Sequence, residues 1–188
     1  MILVFGKTGQ LALELQRFAD VTALGRGDVN LLNPRACSIA IKDYAPIAVI
    51  NAAAYTDVDM AEVDARDAFV VNGDAPKEMA IACAELNIPF VHISTDYVFD
   101  GSGTEAWSAQ SRASPINAYG RSKLLGEEGI RSSGAVYAIV RASWAVSSHG
   151  TNFVKSMLTL SENNSVLKVV SDQIGGPTPA GDIAVACL

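Results

Sequence analysis

"MILVFGKTGQLALELQRF", Met1 to Phe18, is the stretch that decides the fold. Ile2 to Phe5 form a short apolar run of the kind found in a fully buried strand, and a helical pattern follows over Gln10–Ala19. Between them Gly6, Gly9 and Ala12 stand at the spacing G-x-x-G-x-x-A. Gly6 allows a tight turn, Gly9 lets backbone N–H groups approach a pyrophosphate, and Ala12 keeps helix close to strand. The helix N-terminus adds partial positive charge toward an anion. The competing view, a loop that needs glycines only for shape, loses ground because strand, turn and helix come in this order.

Outward from this turn, apolar β-rich runs alternate with helical patterns, which predicts a doubly wound parallel sheet in an α/β fold. Strands are predicted at "ILVF", "VTAL", "IAVIN", "FVHIS", "AVYAIVRA" and "VLKVVS". Helices are predicted at Gln10–Ala19, Pro34–Tyr44, Asp67–Leu86, Ala118–Ser132 and Asn152–Leu160. Pro34 suits a first helical turn capped by Asn33, and Pro89 ends the long helix before the next strand. Residues 101–115 are polar and aperiodic, as in a loop lying over a site. "AGDIAVACL" reads as the start of a further helix.

Composition limits the function classes. The 188 residues are 49% hydrophobic and 18% charged, enough for one substantial core. A net charge of −6 without a Lys/Arg cluster argues against nucleic acid and against a membrane surface as partner. Apolar runs are too short to span a bilayer, and the N-terminus enters a strand with no room for a secretory leader. Cys37, Cys83 and Cys187 are widely spaced, as suits reduced thiols in a cytoplasm.

The strand ends carry the chemistry. After the second, "GRGD" places Arg26 where a ribose-binding carboxylate is common. Arginine can bind a 2′-phosphate, so NADP(H) is favoured, with NAD(H) the alternative. Ala52, Ala53 and Ala54 either leave room for a cofactor to cross the third strand end or serve only the close packing of strand against helix. At the fourth, "STDYVFDG" offers Thr95 as a donor to a carbonyl or merely as a turn cap, with Tyr97 and Phe99 as pocket walls. His92 reads as a core residue and His149 as a loop residue without an identified partner. "NAYGRSK" puts Tyr119 and Lys123 four apart, on one helical face. Thr95, Tyr119 and Lys123 are what carbonyl reduction beside a nicotinamide needs. Tyr119 supplies the proton, Lys123 favours the phenolate and Thr95 polarises the carbonyl.

"GKTGQLA", "NAAAYTDVDMAE", "STDYVFDG", "SPINAYGRSKLLGE", "RASW", "GTNFVKSML" and "DQIGGPT" together resemble the dTDP-4-dehydrorhamnose reductase family of extended short-chain dehydrogenases, from Met1 to about Thr178. The resemblance implies reduction of a dTDP-4-keto-6-deoxy-hexose to dTDP-L-rhamnose with NADPH or NADH. It implies Thr95, Tyr119 and Lys123 as catalytic residues. Gly6, Lys7, Thr8, Gly9, Gln10 and Leu11 become the cofactor turn, joined by Ala53, Ala54 and Tyr55; Arg26, from its place after the second strand, and Tyr119 and Lys123 complete the expected cofactor contacts. Thr95, Asp96, Val98, Trp144 and Asn152 face the substrate. A homodimer and a cytoplasmic location are further expectations. Some members hold magnesium through a first-helix glutamate and later acids. Glu14 matches, but Gly181 and Val185 stand at the acid positions, so no metal is expected here. Val146 replaces an aromatic that would help close the sugar site. The predicted organisation is a cofactor domain over 1–170 and the start of a substrate-binding region over 171–188, the rest of which family chains carry in roughly another hundred residues. Other outcomes are a related sugar-nucleotide epimerase or dehydratase, and a non-enzymatic NADP-binding regulatory subunit.

Overall fold

The structure, a computed structural model, describes residues 1–17 and 21–188. Five parallel strands, β1 (Ile2–Phe5), β2 (Val21–Leu24), β3 (Ala48–Asn51), β4 (Phe90–Thr95) and β5 (Tyr137–Ala142), form one sheet in the order β2-β1-β3-β4-β5. The order reverses between β1 and β3, which opens a crevice beyond their C-terminal ends. All but one residue of β1 is buried, as a strand covered on both faces requires.

Helices α1 (Gln10–Leu15), α2 (Pro34–Tyr44), α3 (Met60–Val63), α4 (Ala65–Phe69), α5 (Ala75–Leu86) and α6 (Ala118–Arg131) follow the strands; α3 was not predicted, and the others match the predicted helices with differences at their ends. Phe18 and Ala19, the predicted end of the first helix, lie outside the described residues. Asn33 caps α2 by accepting the Ala36 N–H, and Pro34 occupies its first turn. The long helix predicted from Asp67 contains a π turn at Val70–Asp74. One core face gathers Leu3, Phe5, Val49, Met79 and Phe90. The other gathers Val4, Leu11, Leu15, Ile50 and Ile183.

After β5 the chain forms β6 (Ala145–Val146), α7 (Phe153–Ser161), β7 (Thr178–Pro179) and α8 (Ala180–Ala186), with β6 and β7 paired as a small second sheet. The strand predicted at "VLKVVS" is absent: residues 166–171 have no ladder partner, and Val166, Val169 and Val170 are exposed. Apolar β-formers make a strand only where an edge receives them. Among the described residues no helix is long and apolar enough to cross a membrane.

Candidate active site

Gly6 turns the chain at φ +110, and a Cβ there would come within 3.2 Å of the Ala52 and Ala53 backbone. Only glycine fits, and the turn is thereby packed against the end of β3. Gly9 has an ordinary φ of −70, but the space over its Cα is empty. What its missing side chain supplies is room at the start of α1.

That room belongs to an open cleft of about 880 Å³ across the ends of β1, β3 and β4. Thr8, Gly9, Gln10 and Leu11 line one end of it, and Ala53 and Ala54 the floor beside them. Thr95, Asp96, Tyr119 and Lys123 line it as well, and so do Trp144 and Asn152. Gly6, Lys7, Arg26, Tyr55 and Val98 are not among its walls. Val98 is fully buried behind it. Arg26 is exposed on the turn after β2. Beside it the Asp28 carboxylate is tied to the Gly25 N–H at 2.8 Å and to Lys7 at 3.4 Å.

Helix α6 brings Tyr119 and Lys123 to the cleft, and its intervening residues explain how. A methyl on Gly120 would overlap the backbone carbonyl of Tyr97, so its absence lets α6 touch the turn that follows β4. The Ser122 hydroxyl donates to the Tyr119 carbonyl at 2.7 Å and accepts from Asn72 at 2.9 Å. Asn72 sits in the π turn and also exchanges hydrogen bonds with both backbone groups of Tyr55. At the helix start, Asn117 accepts the Gly120 N–H and Glu62 accepts the Ala118 N–H. Every turn around Tyr119 is thus pinned from another element.

Thr95 accepts the Tyr97 N–H at 3.2 Å and donates to Asp96 at 3.1 Å, capping the 3-10 turn Asp96–Val98. Burial pushes the Tyr119 phenol up to about 12; the Thr95 hydroxyl acts against this, and Asp96 adds to it. The expected depression by Lys123 is not found in the chain without a ligand. The lysine Nζ instead donates to the Ile93 carbonyl at 2.6 Å and lies 3.2 Å from His92 Nε2. Burial takes Lys123 itself down to about 7, with Glu127 opposing. One helical turn on, the buried Glu127 accepts from Arg141, Arg131 and Ser94. Burial would raise its carboxyl, but these donors outweigh it and hold it low.

Gln10 and Asn152, both lining the cleft, meet there, Asn152 donating to Gln10 Oε1 at 2.9 Å and to the Ser147 carbonyl at 2.8 Å. Trp144 holds φ +43, a rare conformation for a bulky residue, against Gly175 and tilted on Phe153. Glu14 accepts from Arg17 and Ser147, which hold its carboxyl below its ordinary range, and His149 lies 3.8 Å away. His149 therefore has a neighbour that the sequence did not suggest. Among the described residues no cluster of His, Cys, Asp and Glu suits a metal ion. Asn51, Asn72 and Gly175 were also missed. For His92 the signal was visible: a polar ring inside an apolar strand.

The family described as "RmlD substrate binding domain" matches residues 1–188. A dTDP-4-dehydrorhamnose reductase of Sinorhizobium fredii is 44% identical over 98% of this chain, which spans 64% of that relative's length. One from Burkholderia thailandensis is 41% identical over 97% of this chain, which spans 63% of the relative. The crystal structure of a dTDP-4-dehydrorhamnose reductase from Bacillus anthracis in complex with NADP superposes with a TM-score of 0.94 at 34% identity, over 98% of this chain and 68% of that one.

Proposed function

Since the chain belongs to the RmlD substrate binding domain family, we propose that it carries the cofactor and catalytic part of a reductase that converts a dTDP-4-keto-6-deoxy-hexose to dTDP-L-rhamnose. The observation that supports this best is the meeting of Thr95, Tyr119 and Lys123 in the cleft whose other end is the turn Thr8–Leu11. The cradle at Gly6 and the empty space over Gly9 fit a dinucleotide, with the pyrophosphate at the turn and the nicotinamide toward Tyr119.

Bound there, NADPH supplies the hydride. Tyr119, held protonated by burial, donates its O–H to the oxygen that gains charge. Thr95 orients that oxygen by a hydrogen bond. Trp144 and the exposed side chains near it offer a face for the hexose. Arg26, with Lys7 and Asp28 neutralising each other nearby, favours NADP(H) over NAD(H). Titrating both cofactors against wild type and Arg26→Ala tests this; equal preference in both proteins would remove Arg26 from the account. A homodimer, the cytoplasm and the division at residue 170 remain part of the proposal.

NADPH oxidation driven by the keto sugar, in a protein with the full length of the relatives, tests the activity. Stoichiometric formation of the 6-deoxy-hexose is expected. Sugar isomerisation without net NADPH oxidation would favour an epimerase instead, and cofactor binding without either would favour a regulatory subunit.

A further inference from the structure

His92 is fully buried within β4, and the chemistry above leaves it unused. Its two ring nitrogens meet different partners. Nδ1 lies 3.1 Å from the side-chain nitrogen of Asn51, and Nε2 lies 3.2 Å from Lys123 Nζ. The Asn51 amide is oriented from its other side, because its oxygen accepts the Ala53 N–H at 3.1 Å. The group facing the ring is therefore an NH₂, which only donates, and Nδ1 must accept. A neutral imidazole that accepts at Nδ1 carries its proton on Nε2. That N–H points at Lys123. An ammonium has three donors and no lone pair, so it opposes an N–H, whereas an uncharged amine can accept one. Lys123 still keeps a hydrogen for the Ile93 carbonyl at 2.6 Å.

We propose that Asn51 and His92 are positioning residues that aim an N–H at Lys123 Nζ and hold this lysine uncharged until a ligand enters the cleft. The surroundings agree from every side. From α6, Glu127 favours the ammonium, but its carboxylate is spent on Arg141, Arg131 and Ser94. From β3 comes neutral Asn51, and from β4 the ring of His92 and the Ile93 carbonyl. Asp96 and Tyr97 act on Tyr119. Burial lowers both Lys123 and His92, so the ring itself does not charge. A ligand that brings hydroxyl oxygens, as a ribose does, gives Lys123 acceptors and lets it take up a proton. Charge then arrives beside Tyr119 together with the ligand. This last consequence rests on the reductase proposal; the proton position does not.

Nitrogen-15 NMR of the imidazole rings in the chain without cofactor tests it, and with only two histidines in the sequence a His149→Gln variant completes the assignment. The expected result is a His92 proton on Nε2 and a Lys123 Cε resonance that titrates near pH 7. Asn51→Asp presents only acceptor oxygens, so the proton should move to Nδ1 and the Lys123 titration should rise by more than ~1 pH unit. Added negative charge alone would raise the titration but leave the proton where it was, which would overturn the proposal. A wild-type proton on Nδ1, or Lys123 charged up to pH 9, would overturn it as well. The wild-type measurement decides even if the variant does not fold, and neither depends on turnover.

Discussion

Two walls of one cleft are built in opposite ways. On the wall formed by β4 and α6, Thr95 and Lys123 are buried, Thr95 tied within its own turn, and Lys123 and the buried Glu127 behind it held by partners distant in sequence. On the wall that includes Val169, Val170, Gln173 and Pro177, side chains stand open, and their neighbour Ile174 is 93% exposed. The difference teaches which part of the work is prearranged within these residues. Tyr119, Lys123 and the turn Thr8–Leu11 are held by packing within these residues, whereas the wall proposed for the sugar nucleotide is presented without packing behind it. Remote contacts of that kind help to align a carbonyl with a hydride donor. The proposed activity accordingly belongs to the longer protein that the relatives represent.

Substitutions can break or sharpen this contrast. The largest effect is expected from Tyr119→Phe in the longer protein. It should keep cofactor binding and lose ~10²–10⁴-fold in turnover, the usual worth of general acid catalysis. Near-normal steady-state rates would show that the buried wall does not supply the proton.

Gly120→Ala comes next. An exposed helical glycine gains about 1 kcal/mol on becoming alanine. Here the new methyl meets the Tyr97 carbonyl, so a loss of ~1–3 kcal/mol in urea unfolding is expected, as for an overpacked core. A stabilised variant would mean that α6 and the 3-10 turn are loosely joined.

Lys123 makes a pH-dependent prediction. Its folded value of about 7 lies below the ordinary 10.5, so between these the unfolded chain holds a proton that the folded chain has lost. Stability should therefore rise with pH in that window, by up to ~1.4 kcal/mol per unit, while below pH 7 the full burial penalty applies. Lys123→Met should lack this slope. Parallel urea midpoints for the two proteins at pH 7 and pH 9 would contradict it. On the open wall, Ile174→Ser should change stability by less than about 0.5 kcal/mol, because nothing packs on the side chain. A larger loss in thermal melts would erase the contrast between the walls.

Much of the buried wall was legible in the sequence, because its signals are local. Strand, G-x-x-G-x-x-A turn and helix follow each other within eighteen residues, and Tyr119 and Lys123 share a face by helical geometry alone. The partners were not legible. Nothing local in "NAYGRSK" says that Gly120 meets the Tyr97 carbonyl or that Ser122 meets Asn72, fifty residues away. His92 was recognised as a core residue, but its contact with Lys123 depends on the register of β4 against α6. "VLKVVS" misled in the opposite sense, since its β-branched residues report a propensity and not the presence of an edge to pair with.

The most direct test of the cleft as the nucleotide site uses its tryptophans. Trp144 lines the cleft, while Trp107 stacks on Phe99 outside it, and the chain has no other tryptophan. Titrating NADPH into the 188-residue chain should give saturable energy transfer from tryptophan to bound cofactor. Most of that transfer should be lost in Trp144→Phe and kept in Trp107→Phe. Saturable transfer that survives Trp144→Phe and vanishes with Trp107→Phe, or no saturable transfer in wild type, would contradict the placement of the cofactor beside Thr95, Tyr119 and Lys123.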